Sequence, residues 1–246
     1  MRALVLGIPL PHITFDNYSF LSAPSLFDYD RIIVDMSALS EAVEQARDGS
    51  PEHTTRSGQT VVNGPSSTST FSLAELLRLR RLEAERALTS GGTVACLAYP
   101  DVAHEGIAGL PGWRRYDWLP APEGFSYTEH LLAGFGKPGV EITDAAHPFA
   151  PYVTEFGVRL AFRAYASEQD ESFSQYGRVF ARSLGGTAVG VELEVGTGRV
   201  VLLPPLDSLD YSNDRVPLAN ILCDCLERMQ AGTADEPSQL IDKEAS

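Results

Sequence analysis

Residues 72–98 constrain the fold more than any other stretch of the chain. Ser72-Leu-Ala-Glu75 opens a run that ends in Ser90-Gly91-Gly92, and Thr93-Val-Ala-Cys-Leu-Ala98 follows at once. Ser72 and Glu75 have the spacing of a capping box, in which the hydroxyl accepts from an early helix amide and the carboxylate reaches back. Leu73, Leu76, Leu77 and Leu88 are expected to line a buried helix face. Gly91 can take the left-handed conformation that ends a helix. A capped helix, a glycine stop and a short apolar strand form the repeating unit of an α/β domain.

The rest of the chain fits that unit. Arg2-Ala-Leu-Val-Leu-Gly7 is apolar throughout, as a parallel strand covered on both faces should be. The passage from Pro9 to Tyr29 is too irregular for a helix. Asp30-Arg-Ile-Ile-Val-Asp35 reads as the second strand, and Ser37 to Arg47 as a helix. Residues 48–70 form a Ser/Thr/Gly-rich excursion inside the domain, with one possible hairpin at Gln59-Thr-Val-Val-Asn63. Trp113 and Trp118, in the loop from Tyr99 to Pro122, are expected to plug an apolar gap. A short helix is expected with Asp144 near its start and Pro148 in its first turns. Gly177–Leu184, Thr187–Val195 and Arg199–Leu203 are joined by glycine pairs and read as β-hairpins. A helix over about Asn213–Gln230 precedes a polar tail. The whole predicts an α/β three-layer sandwich, with a mostly parallel sheet and C-terminal antiparallel hairpins. A single domain over 1–232 and a disordered tail over 233–246 complete it.

Charge narrows the function classes. With 33 acidic and 19 basic residues the formal net charge is −14, which argues against a nucleic-acid or anionic-membrane surface. No apolar run approaches the ~18 residues of a membrane span. The first residues are interrupted by Gly7 and Pro9, too early for a signal peptide. Three cysteines, Cys96, Cys223 and Cys225, make no even framework and suit a reducing cytoplasm.

Asp101-Val-Ala-His104 lies just past a strand's carboxyl end, where open α/β sheets bind ligands. A carboxylate there can orient an imidazole for acid–base work. Asp35 ends the neighbouring strand, and His12 follows the first one. His12, Asp35, Tyr99, Asp101 and His104 are therefore the candidate ligand-binding residues. Asp35, Asp101 and His104 are the catalytic candidates. The plain alternative is a loop histidine beside a solvated aspartate. No close pair such as His-x-x-x-His points to a metal. The absence of a Gly-x-Gly-x-x-Gly or Gly-Lys-Ser/Thr loop points to no nucleotide cofactor. Asp207, Asp210 and Asp214 read as a solvated acidic loop. Arg78-Leu-Arg-Arg81, interleaved with glutamates, reads as a solvated helix face with a weak Arg81–Glu85 pair. His147-Pro-Phe149 reads as a packing and turn element.

The helix ending in Gly91-Gly92 before a strand, and Gly196-Thr-Gly-Arg-Val-Val-Leu-Leu203 before a C-terminal helix, together resemble the class I glutamine amidotransferase-like fold. The nearest flavour is the ThuA-like group with its flavodoxin-like core. The resemblance implies a catalytic cysteine on a glycine-flanked turn and a His-Pro-Glu-like run after a late strand. Neither station is filled. Cys96 stands within Val94-Ala-Cys-Leu-Ala98, and Pro204-Pro205-Leu206 follows the late strand. The expected function is therefore a non-catalytic amidotransferase-like domain that binds a small ligand or a protein partner. The alternative is a hydrolase or transferase using Asp35, Asp101 and His104.

Overall fold

In a computed structural model, which describes residues 2–39, 52–54, 60–62, 68–101, 114–134, 136–168, 173–206 and 213–234, the apolar runs become the middle layer. The parallel part of the sheet is built from β1 (Ala3–Leu6), β2 (Phe15–Tyr18), β3 (Arg31–Asp35), β6 (Thr93–Leu97) and β12 (Gly198–Leu203). β11 (Ala188–Val195) runs antiparallel to β12, and β10 (Gly177–Ser183) antiparallel to β11. β8 (Val140–Ile142) closes that edge. The order is β2-β1-β3-β6-β12-β11-β10-β8. β7 (Leu131–Ala133) and β9 (Ala164–Ala166) are attached through β11 to make ten strands among the described residues. β4 (Glu52–Thr54) pairs with β5 (Thr60–Val62) in a separate hairpin. That hairpin supplies a partner for the run expected around residues 59–63.

Alternation along each strand sends side chains to opposite faces, and each face has its own core. Leu4, Ile32, Val94 and Cys96 join Leu77, Ala84 and Leu88 of α1 (Thr68–Thr89) on one side. Val5, Ile33, Ala95 and Val201 join α3 (Ala150–Phe156) and α5 (Arg215–Ala234) on the other. This is the three-layer α/β arrangement that the sequence predicts. Two minor helices, α2 (Tyr127–His130) and α4 (Phe173–Tyr176), complete the set among the described residues. Among the described residues no helix is long and apolar enough to cross a membrane.

Several local expectations change. α1 starts at Thr68, so Ser72 lies inside the helix and is not its cap. β2 emerges from the passage that looked irregular. The short helix begins at Ala150, after a turn in which the Ala146 amide donates to Asp144 Oδ1 (3.1 Å). α5 runs to Ala234, beyond Gln230. Trp118 is fully buried and meets Phe20 edge-on at 5.5 Å, as a plug should; Trp113 lies outside the described residues. Most of the 37–47 helix also lies outside them, as do Asp207, Asp210 and the tail after 234.

Two charged groups expected in solvent are buried. Asp214 pairs with Arg159 at 2.5 Å, its side chain only 8% exposed. Arg80 donates to Glu83 Oε2 (2.7 Å) and to the carbonyls of Ala23 (2.5 Å) and Pro24 (2.8 Å). Its neighbours behave as expected, with exposed pairs Arg81–Glu85 and Arg78–Glu75, both at 3.2 Å.

The double-glycine stop has a steric cause. Gly91 takes φ +85°, and its amide donates to the Leu88 carbonyl (3.0 Å). Gly198, at the start of β12, lies so close to the end of α1 that a Cβ would sit 2.4 Å from Leu88 O and 2.6 Å from Gly92 O. Both obstacles are backbone. Gly198→Ala is therefore expected to destabilise the fold by about 1–3 kcal/mol, through forced separation of α1 from the sheet. Thermal melting checks this: about 2–4 °C is lost per kcal/mol in a chain of this size. An unchanged melting temperature would refute the close approach.

Candidate functional site

The carboxyl ends of β3 and β6 lie side by side, with Asp35 opposite Leu97 in register. Asp35 stops its strand with an Asx-type turn, its Oδ1 accepting from the Ser37 amide (2.9 Å) and the Ser37 hydroxyl (2.7 Å). The turn after β1 packs directly against it. Gly7 holds φ +84°, and a Cβ there would lie 2.2 Å from the Ala38 Cβ, so only glycine fits.

Past β6, residues 99–101 are pinned by the segment 114–118. The Tyr116 hydroxyl donates to the Tyr99 carbonyl (2.8 Å) and accepts from the Tyr99 amide (3.3 Å). Tyr116 is itself buried and stacked on Tyr127, ring centroids 4.7 Å apart. Arg115 donates to the Pro100 carbonyl (2.6 Å), and its guanidinium carbon stands 5.8 Å from the Tyr99 ring centroid. The Tyr99 phenol faces Ser37 and Asp35. Burial, then the Asp35 charge, push its pKa up, against its hydrogen bond with Ser37 and the charges of Arg163 and Arg115. Tyr99 is therefore a neutral hydroxyl at ordinary pH.

Asp101 is the most unusual group of the set. Its side chain is 2% exposed, and Oδ2 accepts from Arg114 (3.2 Å) and from the Thr128 hydroxyl (2.8 Å). Oδ1 is equally buried and has no hydrogen-bond partner among the described residues. Nearby, Asp117 Oδ2 accepts from the Arg114 amide (2.7 Å).

Of the five candidates, Asp35, Tyr99 and Asp101 come to the same end of the sheet. Asp35 and Asp101 are not hydrogen-bonded to one another; each is held by its own turn or loop partners. His104 lies outside the described residues. His12 is elsewhere: the chain leaving β1 doubles back so that Phe15 pairs with Ala3, which puts His12 at the opposite end of the strands. There it meets Thr14 Oγ1 (2.7 Å) and the Phe15 ring (5.0 Å). Ser37, Arg114, Arg115 and Thr128 join the site without a sequence signal; only the position of Ser37 two residues after Asp35 foretells its turn.

Cys96 faces the α1 side of β6 and is fully buried. Desolvation pushes its thiol far above the ordinary range. A thiolate is the nucleophilic form, so this sulfur is chemically inert. All three cysteines are free and buried. Among the described residues no group of three or more His, Cys, Asp or Glu is placed to hold a metal ion.

The chain matches no protein-family model, and no curated protein matches it. It is similar to a solved structure titled cytoplasmic protein STM1381, from Salmonella typhimurium LT2. The TM-score is 0.47 and the identity 11%, covering 93% of this chain and 99% of that one. It is also similar to cytoplasmic protein STM3548 from Salmonella typhimurium, with TM-score 0.41, 11% identity, and 92% and 98% of the two chains covered. A third similar structure is the exo-beta-1,4-mannosidase Op5Man5 from Opitutaceae bacterium strain TAV5. There the TM-score is 0.30 and the identity 11%, over 93% of this chain and 29% of that one.

Proposed function

We propose that this protein is a small-ligand-binding α/β domain, amidotransferase-like in outline and without thiol chemistry. Its site lies at the carboxyl ends of β3 and β6. The observation that carries this reading is the buried Oδ1 of Asp101, which has no partner among the described residues. An acceptor left in that condition costs about 1–3 kcal/mol, and a ligand that supplies the missing donor removes the cost only while it is bound. Asp35, Ser37 and Tyr99 offer further polar positions at the same strand ends. The inertness of Cys96 supports the non-catalytic half of the reading.

A thermal-shift screen of metabolites on the full chain tests it. A ligand at about one hundred times its Kd stabilises the native state by about 2.7 kcal/mol. Asp101→Asn and Tyr99→Phe are each expected to abolish the shift, while Arg78→Ala, on the exposed face of α1, leaves it intact. A shift that survives both site variants places the ligand elsewhere and defeats the proposal. So does glutaminase activity that disappears in Cys96→Ala.

A further inference from the structure

We infer that the group bound against Asp101 is uncharged and donates a hydroxyl or amide hydrogen to Oδ1. This inference rests on the ligand-binding reading above and adds the class of ligand. The charges around Asp101 oppose both kinds of ion. The Arg114 guanidinium lies 3.2 Å from the neighbouring oxygen of the same carboxylate, and Arg115 stands over the Tyr99 ring. An ammonium group placed at Oδ1 would sit within a few ångströms of these fixed cations. A carboxylate or phosphate has no donor to offer, and would meet Asp101, Asp117 and Asp35 in the same region. A neutral hydroxyl or carboxamide satisfies the vacant acceptor and adds no charge to an already compensated set.

The rest of the crevice agrees with a neutral polar ligand. Tyr99 keeps its proton, so its hydroxyl can donate as well as accept. Ser37 donates to Asp35 and shares a hydrogen bond with the Tyr99 hydroxyl, which holds that phenol at the strand end. The strand ends thus set neutral hydroxyls in the same region as the Asp101 acceptor, the partners a hydroxyl- or amide-bearing molecule needs.

Three small probes of nearly equal size separate the classes: acetamide, acetate and methylammonium. Each is titrated into the isotope-labelled full chain while the backbone amide signals are followed. Acetamide is expected to move the Tyr99, Asp101, Arg114 and Thr128 signals saturably, with an affinity at least about tenfold above that of either ion. Asp101→Asn, which turns half of the carboxylate into a donor, is expected to lose at least that factor. The probe series on the unmodified chain stands even where the variant fails to fold. The amide readout also gives position. A cavity of ≈ 350 Å³, lined by Arg2, Phe27, Tyr29, Asp30, Arg86 and Ser90, lies at the other end of the strands. Stronger binding of acetate or methylammonium at the crevice overturns the neutral class and leaves the crevice standing as a site. If none of the three moves the crevice signals, the inference fails, and the metabolite screen decides separately whether the binding reading fails with it.

Discussion

Glu83→Ala is expected to lower the stability of the protein by about 3–5 kcal/mol, although it lies on a helix whose neighbouring charges contribute almost nothing. The difference is burial. The Arg80 and Glu83 side chains are 4% and 9% exposed, against 50% and 44% for Arg81 and Glu85 on the neighbouring face. With Glu83 gone, the Arg80 guanidinium keeps the carbonyls of Ala23 and Pro24 but loses the countercharge at 2.7 Å. Those carbonyls anchor the loop that delivers Phe20 and Leu26 to the core between α1 and the sheet. Urea denaturation measures the loss as a lower midpoint at constant slope. The double variant Arg80→Met/Glu83→Leu is expected to regain most of it, because a buried pair exchanged for apolar side chains leaves no orphaned charge. Arg81→Ala is expected to stay within about 0.5 kcal/mol of the wild type. A Glu83→Ala protein as stable as Arg81→Ala would show that this pair is solvated after all.

What the sequence made legible is what the chain specifies over short distances. The end of α1, the Gly91-Gly92 stop and β6 follow one another within about a dozen residues, and each signal is chemical: a left-handed glycine, then an apolar run. The β10–β11–β12 meander is equally local, set by glycine turns between alternating strands. β2 was illegible because only Phe15 of its four residues is buried, and β7 and β9 are three residues each. His12 shows how a local inference fails. Following β1 in sequence, it was expected at the carboxyl end of that strand, but a parallel β1–β2 pair forces the chain back to the amino end first.

The buried charges were illegible for a different reason. Whether an arginine or aspartate on a helix or loop is solvated depends on a partner far along the chain. Arg80 meets a carbonyl 57 residues away, Asp214 meets Arg159 across 55, and His147 meets Glu192 across 45. Asp35 and Asp101 were visible as candidates because strand ends are marked by the strands themselves. The vacancy at Asp101 Oδ1 was not visible, since it depends on Arg114 and Thr128 both choosing the other oxygen.

The second large effect is expected at His147, where substitution by alanine should cost about 3–4 kcal/mol. The ring is fully buried and lies flat on Phe180, centroids 3.9 Å apart and planes 2° from parallel. Its Nδ1 accepts from the Phe149 amide (3.1 Å), so the proton resides on Nε2, which donates to Glu192 Oε2 (2.9 Å). Alanine opens a cavity and strips the buried Glu192 Oε2 of the His147 donor, leaving Arg199 at the other oxygen. Burial alone would raise the Glu192 carboxyl pKa, but the hydrogen bond from His147 and the charges of Arg199 and Arg178 outweigh it and hold the group below its ordinary value. A depressed carboxylate stabilises the fold above its unfolded pKa of about 4.3, and that contribution drains away as pH falls through the folded value. Asp144 and Glu168 are depressed too, so the wild type loses stability in acid at several sites at once. Glu192→Gln isolates one of them. Measured by urea denaturation across a pH series, its deficit relative to the wild type is expected to be largest above about pH 5 and to shrink steadily below pH 4. A deficit that stays constant down the acid limb would mean that Glu192 carries no charge in the folded protein, and that His147 is held by Phe180 and the Phe149 amide alone.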